Sequence, residues 1–168
     1  MNATTVFNQP DVKDGMLVHD LIQQCPPLDT NSSYCNLLQC SHFAETCITA
    51  KKNNQLIGFI SGYRLPNQPS TLFIWQVAVS TSARGCGLAS QMLLQLLARP
   101  SCQGVTQIET TITSNNEGSW ALFTKLAKQL GAPLTRHNHF DRDTHFAGQH
   151  ASELLARIGP IPPQCSRL

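Results

Sequence analysis

The apolar and polar positions in the first third of the chain predict a strand followed by two helices. The segment TTVFNQP is typical of a short strand. Apolar residues then recur every three to four positions, which predicts a helix whose start is flanked by Asp11 and Asp14. The prolines of CPPLDTNSSY end this helix, and Thr30 or Ser32 can cap a second one. The apolar positions of the two helices are Leu17, Val18, Leu21 and Ile22, and then Tyr34, Leu37 and Leu38.

Strand-like and helix-like patterns alternate along the rest of the chain. The segment TCITAKKNNQLIGFISGY predicts two strands around an Asn-containing turn, and STLFIWQVAV predicts a central strand, because it is apolar on both faces. TQIETTIT, PLTRHNHF and ELLARIG predict three further strands. A helix is expected over NNEGSWALFTKLAKQLGA, with Asn115 or Asn116 as its cap and Gly131 at its end. Its apolar positions are Trp120, Phe123, Leu126 and Leu130. Together these patterns predict a mixed α/β domain.

The segment VAVSTSARGCGLASQMLLQLLARP, from Val77 to Pro100, joins the central strand to a leucine-rich helix through two glycines. The first N–H groups of a helix have no partner within it, and the helix dipole is positive at that end. Because Gly85 and Gly87 leave the backbone uncovered and Arg84 adds a fork of donors, this junction predicts an anion site. The alternative is a tight turn that simply needs glycine. The segment contains neither a P-loop nor a dinucleotide-binding fingerprint.

Composition narrows the class of protein. A chain of 168 residues fits a single domain over residues 1–168, and 41% hydrophobic residues is typical of a globular protein. The net charge of +2 is too small to indicate nucleic acid or an anionic membrane as a partner, and no apolar run has the length of a transmembrane helix. The opening residues carry none of the features of a secretory signal. Seven cysteines in such a chain favour reduced thiols and a cytoplasmic location.

Two groups of residues raise the question of a bound metal. One is a set of cysteines with a nearby histidine: Cys25, Cys35, Cys40, Cys47 and His42. Only the interval from Cys35 to Cys40 is short and no second close pair follows, so buried hydrophobic roles are favoured over zinc. The other group lies in TRHNHFDRDTH and consists of His137, His139 and His145. Three histidines can hold a metal, but polar strand residues at a pocket rim explain them as well, and we expect no metal.

At the junction, the order Arg84-x-x-Gly87-x-Ala89 directly after WQVAV resembles the acyl-CoA pyrophosphate loop of the GNAT N-acetyltransferases. The order of the predicted elements is also similar to that family. The resemblance implies an α/β (α+β) GNAT fold, with a central, mixed, mostly antiparallel twisted sheet, a splayed central strand pair and about four flanking helices. It implies acetyl-CoA as co-substrate, with backbone contacts from Val77 and Val79. The residues that it places against CoA are Val77, Ala78, Val79, Arg84, Gly85, Cys86, Gly87, Leu88, Ala89, Asn115, Asn116 and Ser119.

Within that family, the chain is similar to the branch that acetylates the γ-amine of L-2,4-diaminobutyrate on the route to the osmoprotectant ectoine. CPPLDTNSSYCNLLQCSHFAETC, FISGYRLP, LFIWQVAV, ETTIT and ELLARIGP carry this similarity, which runs from about Leu17 to Pro160. It implies a homodimer, and substrate contacts from Asp29, Trp75 and Glu153. Further candidates for contact with the substrate are Thr30, Asn31, Tyr34, Gln76 and His150.

The chemistry that this resemblance implies is direct transfer in a ternary complex. The amine must become neutral before it attacks the thioester, and Glu153 is the expected base, directly or through water. Backbone N–H near Val77 would hold the oxyanion. Many members of the family have a tyrosine in the fourth helix that protonates the leaving thiolate. Here SWALFTKLAKQ has Phe123 and no tyrosine, so the general acid is unassigned.

Each candidate residue also has a structural interpretation. Asp29 could cap the second helix, Glu153 could be a solvated carboxylate, and Trp75 could belong to the core. The scaffold could also acetylate another small amine, an antibiotic or a protein amine, or it could be an acyl-CoA sensor without turnover.

Overall fold

The computed structural model describes residues 4–163 and contains the predicted elements in the predicted order. Its strands are β1 (Val6–Asn8), β2 (Ile48–Lys52), β3 (Gln55–Leu65), β4 (Gln68–Val79), β5 (Gln107–Thr113), β6 (Leu134–Phe140) and β7 (Glu153–Ile158). Its α-helices are α1 (Gly15–Gln23), α2 (Ser33–Gln39), α3 (Leu88–Leu97) and α4 (Glu117–Leu130). Within the described residues, every helix is too short or too polar to cross a lipid bilayer.

The seven strands form a mixed sheet in the order β1-β2-β3-β4-β5-β7-β6. The pairs β1–β2, β2–β3, β5–β7 and β6–β7 are antiparallel, whereas β4 and β5 pair in parallel from Thr71–Phe73 to Gln107–Glu109. This confirms a mixed, mostly antiparallel sheet with β4 at its centre. The contacts of the chain divide into two compact units, which lie within Met1–Tyr63 and Ile74–Gln103, and within Arg64–Phe73 and Gly104–Leu168.

In the first unit, side-chain oxygens cap the starts of the helical segments. Asp11 accepts from the N–H of Lys13 and, with Asp14, forms a capping box at the 3-10 turn before α1. Ser32, rather than Thr30, caps α2 by accepting from the N–H of Cys35 at 3.1 Å. A core cluster lies beneath these helices and consists of Val18, Leu21, Ile22, Cys25, Cys40, Cys47, Leu56, Phe59 and Ala78. The prediction for one apolar position of α1 was wrong, because the side chain of Leu17 is 49% exposed.

The two faces of the central strand β4 are not equally buried. Leu72, Ile74 and Ala78 are buried, whereas Trp75 is 41% exposed. Successive side chains of a strand point to opposite faces, so the residues from Leu72 onward alternate between the core and a more open face. The prediction of a central strand is confirmed, but only one of its apolar faces is buried, and Trp75, on the more open face, does not belong to the core.

Close packing of β3 against α3 depends on a glycine. A Cβ added to Gly58 would lie 2.7 Å from the Sδ of Met92 and 3.3 Å from a methyl group of Leu88. Met92 is fully buried and Leu88 is the first residue of α3. The missing side chain of Gly58 thus lets α3, and the loop before it, lie directly on the strand.

In the second unit, α4 has the predicted cap and end. The Oδ1 of Asn116 accepts from the N–H of Ser119 at 3.1 Å, and Gly131 ends the helix with a φ of +64°. Trp120 is buried, and the guanidinium of Arg136 lies 3.9 Å from the centre of its ring. Such a cation–π contact ties β6 to α4.

We predict that Gly58→Val lowers the free energy of unfolding by about 1–3 kcal/mol, because the added side chain enters space that Met92 fills. Met92→Ala alone should cost about 2–5 kcal/mol, because it leaves a cavity. In the double variant the valine fills part of that cavity, so the loss should be smaller than the sum of the two single losses. Urea denaturation of the three variants measures these values. Strictly additive losses would show that the two side chains do not compete for space.

Candidate functional site

The predicted anion site is a turn with left-handed backbone at two glycines. Gly85 has a φ of +78° and Gly87, the residue before α3, has a φ of +77°. A Cβ added at either position would meet no atom of the described chain within 4 Å. The positive φ is a reason for glycine that is independent of any ligand. The open space beside both residues also leaves room for an anion to approach the backbone.

Electrostatics at this turn favour a negative charge. The first backbone bond of α3 runs from the N–H of Gln91 to the carbonyl of Gly87, at 3.1 Å. The N–H groups of Leu88, Ala89 and Ser90 precede it, at the positive end of a helix of 10 residues. The thiol of Cys86 is exposed and donates to the carbonyl of Ala83 at 2.9 Å. Phosphate groups are among the anions that helix N-termini bind in proteins.

Arg84 has a structural role that the sequence did not predict. Its Nε donates to the carbonyl of Val79, at the end of β4, with a distance of 3.1 Å. The same carbonyl accepts from the Sγ of Cys25 at 3.4 Å. Because the guanidinium has further N–H groups, Arg84 can fix the end of the strand and still offer donors to an anion. The backbone of Val79 was expected to contact CoA, but its carbonyl is hydrogen-bonded to Arg84 and Cys25 within the protein.

The loop between α1 and α2 is attached to β4 through Gln76. The Nε2 of Gln76 donates to the carbonyl of Asp29 at 2.8 Å, and its Oε1 accepts from the Nδ2 of Asn31 at 3.0 Å. The structure thus brings three of the predicted substrate residues together. Asp29 does not cap α2, because Ser32 does, so its exposed carboxylate is not used as that cap. Gln76 is buried and binds the loop, a role that the sequence did not reveal.

The aromatic candidates lie on exposed surfaces of the first unit. Trp75 contacts Tyr63 edge-on, with 6.2 Å between ring centres, and Tyr63 lies 6.1 Å from Phe43. Tyr34, in the first turn of α2, is 68% exposed, and Thr30 is also exposed. Trp75 can therefore offer a ring face or edge to a small ligand. Tyr63, which contacts Trp75, was not among the predicted site residues. The signal that could have indicated it is its place in FISGYRLP, one of the segments that carry the resemblance.

In the second unit, Glu153 begins β7 at the point where β5 ends. It pairs with Thr113 of β5 and with Phe140 of β6. The carbonyl of Thr113 accepts from the N–H of Asn116 at 3.1 Å and from the Nε1 of Trp120 at 3.1 Å. The half-buried carboxylate of Glu153 therefore belongs to the same end of the sheet as the start of α4. The candidate CoA residues at that helix start are Asn115, Asn116 and Ser119, of which Asn116 uses its side-chain oxygen as the helix cap.

The other carboxylate of this region has a different environment. Glu109 is buried, and its Oε1 accepts from the Nε of Arg157 at 2.9 Å and from the Nε2 of Gln107 at 3.0 Å. A buried carboxylate held in this way by a cation and an amide stabilises the sheet. The Nδ1 of His150 donates to the carbonyl of Ala151 at 2.7 Å.

The residues considered as metal ligands have other partners. His137 bonds to Thr135 at 3.0 Å, His139 stacks near Phe140, and the Nδ1 of His145 accepts from the N–H of Asp141. Within residues 4–163, no group of three His, Cys, Asp or Glu side chains is arranged to hold a metal ion. Hydrogen bonds from Thr144, and then from Asp143, lower the pKa of Asp141.

The six cysteines within the described residues are free. Burial raises the pKa of Cys40 to about 12 and that of Cys47 to about 12, so these two thiols are protonated at neutral pH. Burial also raises the pKa of Cys35. These cysteines behave as small hydrophobic residues, as the sequence predicted for them.

Comparison with known proteins identifies the family. The acetyltransferase (GNAT) family matches residues 16–127. A relative from Methylotuvimicrobium alcaliphilum named L-2,4-diaminobutyric acid acetyltransferase is 56% identical over 155 residues, covering 92% of this chain and 90% of the relative. A relative of the same name from Vibrio cholerae is 52% identical, covering 91% of this chain and 88% of the relative.

A solved structure extends the match to three dimensions. The diaminobutyrate acetyltransferase of Paenibacillus lautus, in complex with its substrate L-2,4-diaminobutyric acid and coenzyme A, is 38% identical with a TM-score of 0.91. The match covers 95% of this chain and 96% of that one. The resemblance that the loop motif suggested is confirmed by these relatives, and the chain belongs to the acetyltransferase (GNAT) family.

Proposed function

We propose that this protein transfers the acetyl group of acetyl-CoA to the γ-amine of L-2,4-diaminobutyrate, which yields N-γ-acetyl-diaminobutyrate for ectoine biosynthesis. The observation that carries the proposal is the near full-length match to a structure whose ligands are this amino acid and coenzyme A. The open glycine turn before α3 supports it independently, because the pyrophosphate of CoA is an anion of the class that this turn suits.

The proposed CoA site begins with the turn from Arg84 to Gly87 and the first N–H groups of α3. Arg84 keeps guanidinium N–H groups for the phosphates while its Nε holds the end of β4. The backbone of Val77 and Ala78, and the start of α4, are proposed to contact the rest of the CoA arm. The whole chain, residues 1–168, is proposed to act as a single acetyltransferase domain that needs acetyl-CoA and no metal.

The proposed substrate site must bind a zwitterionic diamine that carries two ammonium groups and one carboxylate. The exposed carboxylate of Asp29 is suited to an ammonium group, and the exposed ring of Trp75 can cover an apolar or cationic part of the substrate. Thr30, Asn31 and Tyr34 are proposed to complete the site, with His150 on the segment before β7.

The proposed transfer step is direct attack of the neutral γ-amine on the thioester carbonyl. The attack forms the amide C–N bond, the C–S bond breaks, and CoA leaves as a thiolate that takes a proton from water. Glu153 accepts the proton of the ammonium group, directly or through water, and backbone N–H near Val77 polarises the carbonyl. The half-buried position of Glu153 supports this role, because a partly desolvated carboxylate attracts a cation more strongly than an exposed one. The transfer needs no covalent enzyme intermediate, which agrees with the buried, protonated state of Cys40 and Cys47.

The proposed setting of this reaction is the cytoplasm, and the proposed assembly is a homodimer. The six free cysteines support a reducing compartment. A second copy of the chain could cover the exposed apolar side chains near the start of α1, which supports a homodimer. These side chains are Val12, Met16 and Leu17.

The direct test is release of free thiol from acetyl-CoA in the presence of single amines. We expect release with L-2,4-diaminobutyrate, and NMR of the product should find the acetyl group on the γ-nitrogen, because the substrate site holds the α-amino acid end. No release with any amine would instead indicate a CoA-binding sensor. Release only with peptides would indicate a protein acetyltransferase, and acetylation of the α-nitrogen would reverse the proposed orientation.

For the CoA site, we predict that Gly87→Val weakens CoA binding at least ten-fold, about 1.4 kcal/mol or more, because its side chain occupies the place of a phosphate. The matched control is Gly104→Val, since Gly104 also has a positive φ, of +81°, and open space around its Cβ position. Both variants should lose about 1–2 kcal/mol of stability from backbone strain. Calorimetric titration should find weakened CoA binding in the first variant alone. Equal CoA affinity in the two variants would mean that Gly87 serves only the turn.

For the proposed base, we predict that Glu153→Gln lowers kcat roughly 10²–10⁴-fold, because the amide keeps the size of the side chain but not its basicity. CoA affinity should not change. Glu45→Gln, which alters an exposed glutamate outside the proposed site, serves as the control and should keep full activity. If Glu153→Gln raises only the KM for diaminobutyrate, the residue is a binding contact. Wild-type kcat/KM would remove Glu153 from the proposed site.

A further inference from the structure

Both polar atoms of the Gln76 side chain are hydrogen-bonded to the loop between α1 and α2. Its Nε2 donates to the carbonyl of Asp29 at 2.8 Å, and its Oε1 accepts from the Nδ2 of Asn31 at 3.0 Å. The side chain is only 8% exposed. A buried amide with both of its ends bonded to one loop is a clamp on that loop, because breaking either bond leaves a buried polar group without a partner.

The strand end of this clamp is itself fixed. The backbone N–H of Gln76 donates to the Oγ of Ser61, at 3.2 Å, and Ser61 is fully buried in β3. The position of Gln76 along β4 is therefore set by the neighbouring strand. Because its backbone is fixed, Gln76 holds the loop at a defined position relative to the sheet.

The loop is held at both ends, and Gln76 acts on its middle. On one side, the N–H of Leu28 donates to the carbonyl of Cys25 at 3.0 Å, and Leu28 packs on the core cluster. On the other side, Ser32 caps α2. Asp29 and Asn31 lie between these points, in a stretch with no helix or strand of its own, and the bonds to Gln76 attach this stretch to β4.

We infer that Gln76 is a positioning residue for the substrate: it fixes the backbone of Asp29 and thereby directs the Asp29 carboxylate toward an ammonium group of the diamine. This inference rests on the proposed function. Side chains alternate along β4, so Gln76 points to the opposite face from Trp75 and acts through the loop instead of touching the substrate. An ion pair weakens quickly with distance and misalignment, so a loop that loses its clamp binds the cation less well.

The test compares the same substitution at two buried glutamines of one unit. Gln76→Met removes the clamp with little change in volume. Gln39→Met is the matched control, because Gln39 is 1% exposed and accepts from the Nδ2 of Asn36, within α2, at 3.0 Å. We expect Gln76→Met to raise the KM for diaminobutyrate at least ten-fold and to leave the KM for acetyl-CoA within two-fold. Gln39→Met should lower the melting temperature but leave both KM values within two-fold.

A double-variant cycle then separates the clamp from direct contact with the substrate. Asp29→Ala removes the carboxylate that Gln76 is inferred to direct but keeps the backbone carbonyl that Gln76 binds. The double variant with Gln76→Met should therefore raise the KM for diaminobutyrate by less than the product of the two single effects. Independent, fully multiplicative effects would show that Gln76 touches the substrate itself, and would overturn the inference.

Two further results would also overturn it. One is an unchanged KM for diaminobutyrate in Gln76→Met. The other is a rise in both KM values with a fall in kcat and in the melting temperature, as a general structural defect would give. A wild-type protein that does not turn over diaminobutyrate would remove the proposed function and this inference together. All the other results are measured against an active wild-type protein, so failure of the inference on Gln76 can be distinguished from failure of the proposed function.

Discussion

A left-handed turn at the end of the central strand is the constraint on which the first unit depends. The chain must reverse from β4 into α3, and it does so with positive φ at Gly85 and Gly87. That turn exposes the positive start of α3 and carries Arg84 back to the last carbonyl of the strand. One piece of backbone geometry therefore supports both the packing of the unit and its chemistry. Any larger residue at Gly87 would disturb the conformation as well as the space beside it.

The glycine in β3 belongs to the same arrangement. A helix that starts at this turn has to lie close to the sheet, and the absence of a side chain at Gly58 allows Met92 and Leu88 to do so. Helix burial then fixes the direction in which the first N–H groups point. A site made of backbone depends on packing in this way, because its donors cannot rotate independently of the fold.

The second unit positions its chemistry by strand register. Glu153 and Thr113 are partners because β7 runs antiparallel to β5. The carbonyl of Thr113 accepts from the N–H of Asn116, just before α4, and from the indole Nε1 of Trp120. A shift of register by one residue would turn the carboxylate to the other face of the sheet. The ion pair between Glu109 and Arg157, themselves partners in this register, opposes such a shift.

The sequence by itself determined the order of the strands and helices along the chain and the glycine turn, and it reduced the caps of α2 and α4 to two residues each, because these features depend on neighbours within a few residues. The structure then selected Ser32 and Asn116. The loop motif in the sequence also indicated the family to which the chain belongs. Only the tertiary structure decided that Leu17 and Trp75 are exposed and that Gln76 binds the loop of Asp29. Gln76 and Asp29 are 47 residues apart. Contacts over such a separation arise when strands and loops pack together, and no local pattern of side chains encodes them.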